Sequence, residues 1–177
     1  MDRIAVSTVV YLPPEEVFEF LVDFPRYARY SEHLRDVTRD GDGSAGTRYD
    51  LTFAWWKLTY TVRSEVTAVE RPERVEWRIV SRLNATGRWR VDPLGDLPAD
   101  APADADAASR VWFEVRFDPG SAGEDAVDLP RLVSLDWVLG KVKPLAVAEA
   151  ERVVERVVAD LEGRRRDVDL TVHERPG

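Results

Sequence analysis

Large rings and branched apolar side chains recur at alternate positions between residues 49 and 117, and they are the residues best suited to binding chemistry. Alternate residues of a strand point to one face of a sheet, so these side chains would share a face. Such a face suits a flat hydrophobic guest whose carbonyl the Tyr49 or Tyr60 hydroxyl would orient, although each ring alone is also consistent with a packed core. Ser64 and Ser81 are weaker polar candidates on the same face. The predicted ligand-contacting residues of the sheet are Tyr49, Phe53, Tyr60, Val62, Trp77, Ile79, Trp89 and Phe113.

The residue types that common catalytic and metal sites require are scarce. The chain has no cysteine and only two histidines, His33 and His173, which argues against disulfides, thiolate nucleophiles and a histidine-built metal site. No Ser/His/Asp set, phosphate-binding glycine loop or paired-carboxylate site is recognisable. We therefore predict no catalytic residue, no metal and no cofactor. His33 is either an exposed polar residue or a proton carrier at the mouth of the ligand site.

The formal charge of −8 and the pI near 4.9 disfavour a nucleic-acid partner, because phosphate binding depends on Lys and Arg. Arginine outnumbers lysine by 22 to 3, and an Asp-rich segment covers residues 95–109. This surface is typical of a salt-adapted prokaryotic protein, since concentrated salt screens self-repulsion, although codon bias would also explain the arginines. In the absence of a signal-peptide pattern or a membrane-spanning apolar run, we predict a cytoplasmic protein with no stable membrane insertion and at most transient membrane contact.

The segment LPPEEVFEFLVDFPRYARYSEHLRDV, residues 12–37, predicts two short helices with a corner between them. The first would begin at Pro13 or Pro14, where proline is tolerated, and end at Pro25. The second would place Tyr27, Tyr30 and Leu34 on one face. We expect both helices to close the mouth of a cavity. The two tryptophans of the hairpin tip either form a lip of that mouth or pack on a neighbouring loop or a dimer partner. The predicted mouth or lid residues are Tyr27, Tyr30, His33, Trp55 and Trp56.

The middle of the chain predicts an antiparallel sheet of about seven strands. Alternation in GTRYDLTFAW and KLTYTVRSEVTAVE predicts a hairpin that pairs Trp55 with Leu58 and Tyr49 with Ser64, across a turn at Trp56 and Lys57. Further strands are predicted at 3–11, near 35–40, and in RVEWRIVS, GRWRV and RVWFEVRF. Arginines and carboxylates alternate with the apolar residues, so the opposite face should be solvated and carry cross-strand ion pairs.

The C-terminal part changes to a helical period. It predicts either a short helix at 132–139 followed by a long one at 144–163, or a single helix kinked at Pro144. The Asp-rich segment should be a mobile loop, residues 1–165 a single domain, and residues 166–177 a flexible tail. A curved sheet around this helix would leave a hydrophobic cavity, entered by movement of the 25–34 corner or the 119–143 segment. The predicted ligand-contacting residues of this part are Leu135, Val138, Val147, Ala150 and Val154.

The segment PPEEVFEFLVDFPRYARYSEHLRDV, followed by GTRYDLTF, a hydrophobic hairpin, RVEWR, GRWRV and a long last helix, resembles the START/Bet v 1-like (SRPBCC) superfamily. The resemblance covers about residues 3–163 and is nearest to the branch of polyketide cyclases and coenzyme Q-binding proteins. It implies an α+β helix-grip fold, in which a curved antiparallel sheet wraps around the C-terminal helix. It also implies a lipid, quinone, hormone or polyketide between sheet and helix.

Three functions remain open from the sequence, and the oligomeric state is not specified. The first is a non-enzymatic carrier or sensor of a hydrophobic small molecule, with an isoprenoid quinone or another lipid as the leading ligand. The second is a cyclase or dehydratase that acts on a polyketide-like substrate, with a Tyr, Ser or His as acid or base. The third is a ribosome-associated interaction module, which the negative charge disfavours.

Overall fold

The computed structural model describes residues 2–55, 58–81, 83–118, 121 and 135–175, and for residues 135–147 it describes the helical backbone alone. One antiparallel sheet of eight strands has the order β2-β3-β4-β5-β6-β7-β1-β8. The predicted α+β class, with a curved sheet and a long C-terminal helix, is confirmed. The strands are β1 Asp2–Val10, β2 Leu34–Asp40, β3 Arg48–Trp55, β4 Leu58–Glu70, β5 Arg74–Ile79, β6 Ala85–Pro93, β7 Ser109–Phe117 and β8 Thr171–Glu174.

The β3–β4 hairpin has the register that the alternation predicts. Trp55 pairs with Leu58, Phe53 with Tyr60, and Tyr49 with Ser64. The turn residues at 56 and 57 lie outside the described residues. Because this register is in phase with the pleat, one face of both strands is apolar and the other is charged.

The charged face carries the predicted ion pairs. Arg63 binds Asp50 at 2.7 Å, and the solvent-exposed Arg78 lies 2.7 Å from Glu65. These exposed pairs fix the register of neighbouring strands more than they stabilise the fold, since such pairs are typically worth about 0–1 kcal/mol.

Glu114 on β7 is the most enclosed carboxylate of this face, with 9% of its surface exposed. Its carboxylate accepts a hydrogen bond from Arg88 and lies 3.7 Å from the Arg3 guanidinium and 4.0 Å from that of Arg90. Burial alone would raise the pKa of Glu114, but the hydrogen bond from Arg88 and the charges of Arg90 and Arg3 hold that pKa below its ordinary value. Glu114 is therefore ionised at neutral pH and joins β1, β6 and β7 electrostatically.

The N-terminal helices differ in kind from the prediction. The helix α1, Pro14–Leu21, begins next to Pro13 as expected and buries Val17, Phe18, Phe20 and Leu21. The second is a 3₁₀ helix, Phe24–Arg29, and Leu34 begins β2 instead of extending it. The Ser31 hydroxyl accepts hydrogen bonds from the backbone N–H groups of His33 and Leu34, which favours the turn into the strand over a further helical turn.

The C-terminal helix is a single element, α2, Leu135–Glu162, with Gly140 and Pro144 inside it. By the helical rise, 28 residues span about 42 Å. The helix ends at Gly163, whose φ of 77° lies in the left-handed region that glycine adopts most easily. A hydrogen bond from Leu94 N–H to Ala108 O at 2.9 Å joins the two ends of the Asp-rich segment that precedes β7. Within the segment, Asp104 pairs with Arg164, just beyond the end of α2.

Residues 171–174 form a strand, β8, where the sequence predicted a flexible tail. The strand pairs antiparallel with β1, and the Ser7 hydroxyl lies 2.8 Å from His173 Nε2. The His173 ring also packs on Trp112 with ring centroids 4.4 Å apart. This segment is ordered because it pairs with β1. Since β1 lies at the other end of the chain, local sequence patterns do not reveal the pairing.

Candidate functional site

A cavity of about 440 Å³ lies between the apolar face of the sheet, α1, the 3₁₀ helix and α2. Aliphatic and aromatic side chains form most of its wall. The size and the apolar wall are those of a small-molecule site, since ligand pockets typically enclose about 300–1,000 Å³.

Six of the eight sheet residues predicted to contact a ligand line this cavity. Their rings pack against one another, with centroids 4.6 Å apart for Trp89 and Phe113 and 6.1 Å apart for Trp77 and Phe113. Three rings from neighbouring strands thus form a continuous aromatic wall. The six residues are Phe53, Val62, Trp77, Ile79, Trp89 and Phe113.

Gly87 makes room for the indole of Trp77, its cross-strand partner. A Cβ atom built on Gly87 would lie 2.2 Å from Trp77 Cζ2, far inside van der Waals contact. Any side chain at this position would overlap the indole, so glycine permits the close approach of Trp77 to the backbone of β6. Gly87 of β6 therefore determines how closely Trp77 of β5 packs in the aromatic wall.

The two remaining sheet residues of the prediction, Tyr49 and Tyr60, are absent from the described wall. Tyr49 is 1% exposed and packs on Phe24 with ring centroids 4.5 Å apart, so it belongs to the solid core beneath α1 and the 3₁₀ helix. Tyr60 pairs with Phe53 nearer the hairpin tip. Alternation gave the correct face for both residues, but it carries no information about how far the cavity extends along a strand.

The helix α2 contributes its own apolar stripe. Of the predicted ligand-contacting residues of α2, Val154 lines the cavity, whereas Ala150, one turn earlier, is exposed and does not. Ala150 has the sequence spacing of the inward face of α2, so the apolar stripe of this helix extends beyond the described part of the cavity wall. Leu135, Val138 and Val147 have side chains outside the described residues. The α2 residues that line the cavity are Val153, Val154, Val157, Val158 and Leu161.

Of the five predicted mouth or lid residues, Tyr27 and Tyr30 line the cavity. His33 does not, and its Nδ1 lies 3.4 Å from the carbonyl oxygen of Ala54 on β3. Trp55 is half-buried at the end of β3 and is not part of the described wall, and Trp56 lies outside the described residues. Tyr27 lies in the 3₁₀ helix and packs on Trp89 of the wall, whereas Tyr30, directly after that helix, contacts α2 through Asp160.

A tether joins the 3₁₀ helix to α2 beside the cavity. The Tyr30 hydroxyl donates to the Asp160 carboxylate, Arg26 lies 3.2 Å from the same carboxylate, and Arg156 donates to the Tyr30 carbonyl at 2.8 Å. The hydrogen bond from Tyr30 and then that from Arg26 lower the pKa of Asp160. These four residues, the Tyr30–Asp160 tether, hold the two elements together at neutral pH.

The tyrosines in the wall are poor acid–base groups. Burial raises the pKa of Tyr27 well above its ordinary value, and burial followed by the hydrogen bond to Asp160 raises the pKa of Tyr30. Both hydroxyls therefore stay protonated near neutral pH. Each is also engaged as a donor, Tyr27 to the Leu21 carbonyl and Tyr30 to Asp160, which makes them structural hydrogen-bond donors in this conformation.

The sequence analysis did not predict several of the residues that line the cavity as ligand contacts. Val153 and Val157 are neighbours of Val154 on α2, and the helical period places Val157, three residues after Val154, on the same stripe. Thr8 and Val10 come from β1, whose neighbours in the sheet had to be known first. The cavity is also lined by Val17, Phe20 and Leu21 of α1 and by Phe24 of the 3₁₀ helix, and these four residues belong to the core as well.

Within the described ranges, no group of three or more His, Asp or Glu residues could hold a metal ion. No helix in that part of the chain combines the length and the apolarity needed to cross a membrane. The chemistry that the described site offers is therefore apolar contact, ring stacking and a few hydroxyl groups.

Two solved structures of low sequence identity, with TM-scores above 0.5, share this fold. A START superfamily protein from Mycobacterium smegmatis is 14% identical, covers 91% of this chain and 99% of its own, and superposes with a TM-score of 0.59. The di-domain ARO/CYC StfQ from the steffimycin biosynthetic pathway is 10% identical, with a TM-score of 0.54, and is matched over 90% of this chain and 50% of its own. A protein from Deinococcus radiodurans is 21% identical over 65% of this chain and 82% of its own, with a TM-score of 0.48.

No curated protein is similar enough to the chain to count as a match. A family model, described as polyketide cyclase / dehydrase and lipid transport, matches residues 1–162. The match includes every described element that lines the cavity and ends with the last residue of α2. It confirms the resemblance to the START/Bet v 1-like superfamily. The chain belongs to the polyketide cyclase / dehydrase and lipid transport family.

Proposed function

We propose that the protein binds or transports a hydrophobic small molecule in the cavity between the sheet and α2. The observation that carries the proposal is an apolar cavity of about 440 Å³ with an aromatic wall. By the scaling measured for core truncations, about 24 cal/mol per Å³, an empty cavity of this size forgoes about 10 kcal/mol of packing. That sum is comparable to the whole stability of a typical domain, so a ligand that fills the space gains much of its affinity by restoring contacts.

The proposed ligand is a lipid, an isoprenoid quinone or a polyketide-like molecule, with a quinone or lipid as the leading candidate. The family description and the aromatic wall of Trp77, Trp89 and Phe113 support a guest with a flat, apolar portion. The acidic, arginine-rich composition supports a location in the cytoplasm of a salt-adapted prokaryote.

The direct test is extraction and mass spectrometry of protein purified in high salt. A lipid or quinone at a ratio near one per chain is the expected result. Protein that carries no such molecule, and that also fails to bind hydrophobic probes added afterwards, would refute the carrier function.

A second candidate is a cyclase or dehydratase, which the family description and the likeness to the ARO/CYC StfQ favour. The described cavity wall contains no histidine or carboxylate, and Tyr27 and Tyr30 are engaged as donors. Turnover of a cyclisable poly-ketone substrate would select this function over the carrier. Co-sedimentation with ribosomes would instead favour an interaction module, which the net charge of −8 disfavours.

A further inference from the structure

The hydroxyl groups in the cavity wall differ in whether the protein satisfies them. Five of the described wall residues carry a hydroxyl, and in four of them it donates to or accepts from another protein group. The fifth, Ser64, has a buried Oγ with no hydrogen-bond partner. The four satisfied hydroxyls are those of Thr8, Tyr27, Tyr30 and Ser31.

Ser64 lies at the border between the packed core and the cavity. It pairs with Tyr49 on β3 and with Ile79 on β5, and only 3% of its surface is exposed. Tyr49 is core, whereas Ile79 and Val62, two residues before Ser64 on the same face, line the cavity. A buried hydroxyl without a partner is unfavourable in such apolar surroundings, and most such groups in native proteins are satisfied.

We propose that the Ser64 hydroxyl is the polar anchor of the cavity, donating a hydrogen bond to a carbonyl oxygen of an otherwise apolar, ring-bearing ligand. The inference rests on the proposed binding function and narrows its ligand class. A carbonyl oxygen brings an acceptor and no donor, so one bond from Ser64 satisfies it. A ligand hydroxyl would bring a further donor of its own into the same apolar surroundings.

The anchor also predicts how the site discriminates. A site with a polar group reserved for the ligand rejects an analogue that lacks the matching atom, because the polar group is then left buried and unpaired. The aromatic wall accepts both analogues equally, since its contacts are with the ring faces. Ser64 would therefore set the preference for a carbonyl, and the wall would set the affinity for rings.

The test uses two probes of nearly the same shape, 9-fluorenone and fluorene, which differ by one carbonyl oxygen. Their dissociation constants are measured by titration calorimetry on the wild type and on Ser64→Ala. We expect wild-type protein to favour fluorenone, and Ser64→Ala to reduce the ratio of the two affinities about tenfold, or about 1.4 kcal/mol. Fluorene should bind both proteins within about twofold of the same affinity, because the substitution removes no apolar contact.

Ser109→Ala is the matched control, because Ser109 is also a buried serine of the sheet but lies outside the described cavity wall, and its hydroxyl donates to the Leu12 carbonyl at 2.8 Å. It should leave the affinity ratio unchanged. An unchanged ratio in Ser64→Ala, with both probes bound, would reduce Ser64 to an ordinary core serine and overturn the anchor while the binding function stands. Failure of wild-type protein to bind either probe would refute the binding function and the anchor with it.

The melting temperature of the ligand-free protein gives a second readout. Ser64→Ala removes a hydroxyl that makes no bond in the protein, so its melting temperature should stay the same or rise by about 2–4 °C. A fall of several degrees would mean that the hydroxyl is bonded within the protein, and it would overturn the proposal independently of any ligand.

Discussion

Replacement of Gly87 by alanine should separate the binding function from stability. The new Cβ atom would lie 2.2 Å from Trp77 Cζ2, so the indole has to move. Overpacking of a sealed core typically costs 1–3 kcal/mol, but Trp77 borders an open cavity and its ring can turn into that space. We therefore expect the loss of stability at the low end, about 1 kcal/mol, which corresponds to a fall in melting temperature of about 2–4 °C for a chain of this size.

The displaced indole would occupy volume that a ligand needs. We expect the affinity of Gly87→Ala for a hydrophobic probe such as fluorenone to fall at least tenfold, or about 1.4 kcal/mol, as measured by titration calorimetry. Thermal unfolding followed by circular dichroism gives the stability term. Gly95→Ala is the matched control, because a Cβ atom there meets nothing within 4 Å, and it should change neither quantity.

A double-mutant cycle with Trp77→Ala tests the mechanism. Once the indole is removed, alanine at position 87 meets no ring and should be neutral or slightly stabilising, since it restricts the unfolded chain more than glycine does. If Gly87→Ala weakens binding and stability equally in both backgrounds, the close approach to Trp77 is not the cause. The same conclusion would follow if Gly87→Ala matched Gly95→Ala in every measurement.

Three further predictions concern the wall, the charged face and the last strand. Trp89→Ala should weaken the binding of a hydrophobic probe, measured by calorimetry, at least tenfold. Arg78→Ala removes an exposed ion pair with Glu65 and should change that affinity less than twofold. Equal losses of affinity would mean that the two faces of the sheet are misassigned. Glu114→Gln should lower the melting temperature at neutral pH. Because the pKa of Glu114 is lowered in the folded state, the stabilisation by its charge is present above the unfolded-state pKa of about 4.3 and is lost as the pH falls through the folded-state pKa. The melting temperatures of wild type and variant should therefore converge in acid, and a difference that stays constant with pH would contradict the prediction. Truncation of the chain after Asp169 removes β8 and should lower the melting temperature. By exposing the edge of β1 it should also promote self-association, detected by size-exclusion chromatography. An unchanged monomer–oligomer distribution and melting temperature would show that β8 contributes nothing.

The sequence predicted the features that depend on local period. The β3–β4 register and the inward direction of Trp77, Trp89 and Phe113 followed from strict alternation, because a sheet with one wet face tolerates no slip of one residue. The stripe around Val154 followed in the same way from the helical period.

Features that depend on distant or one-sided packing were not predictable. The strand β8 has only four residues, and its partners are distant in sequence: it pairs with β1, more than 160 positions away, and its His173 packs on Trp112 of β7. Tyr49 and Ala150 lie on the faces that the sequence predicted. Tyr49, however, is part of the packed core, and the described cavity wall ends before Ala150. Ser64 drew attention merely as a polar residue among apolar ones, and its missing partner became visible only once the surrounding side chains were in place.

The position of β1 between β7 and β8 constrains the order in which the molecule assembles. Asp2 meets Phe117, and the other partner of β1 begins at Thr171, so both neighbours of the first strand are synthesised after nearly all of the hairpins between them. Closing such long loops is entropically slow, so the β2 to β7 meander can form before β1 docks. The cavity is complete only when β1, α1, the 3₁₀ helix and α2 have packed on that meander, so a bound ligand would stabilise the late steps of folding and not the formation of the meander.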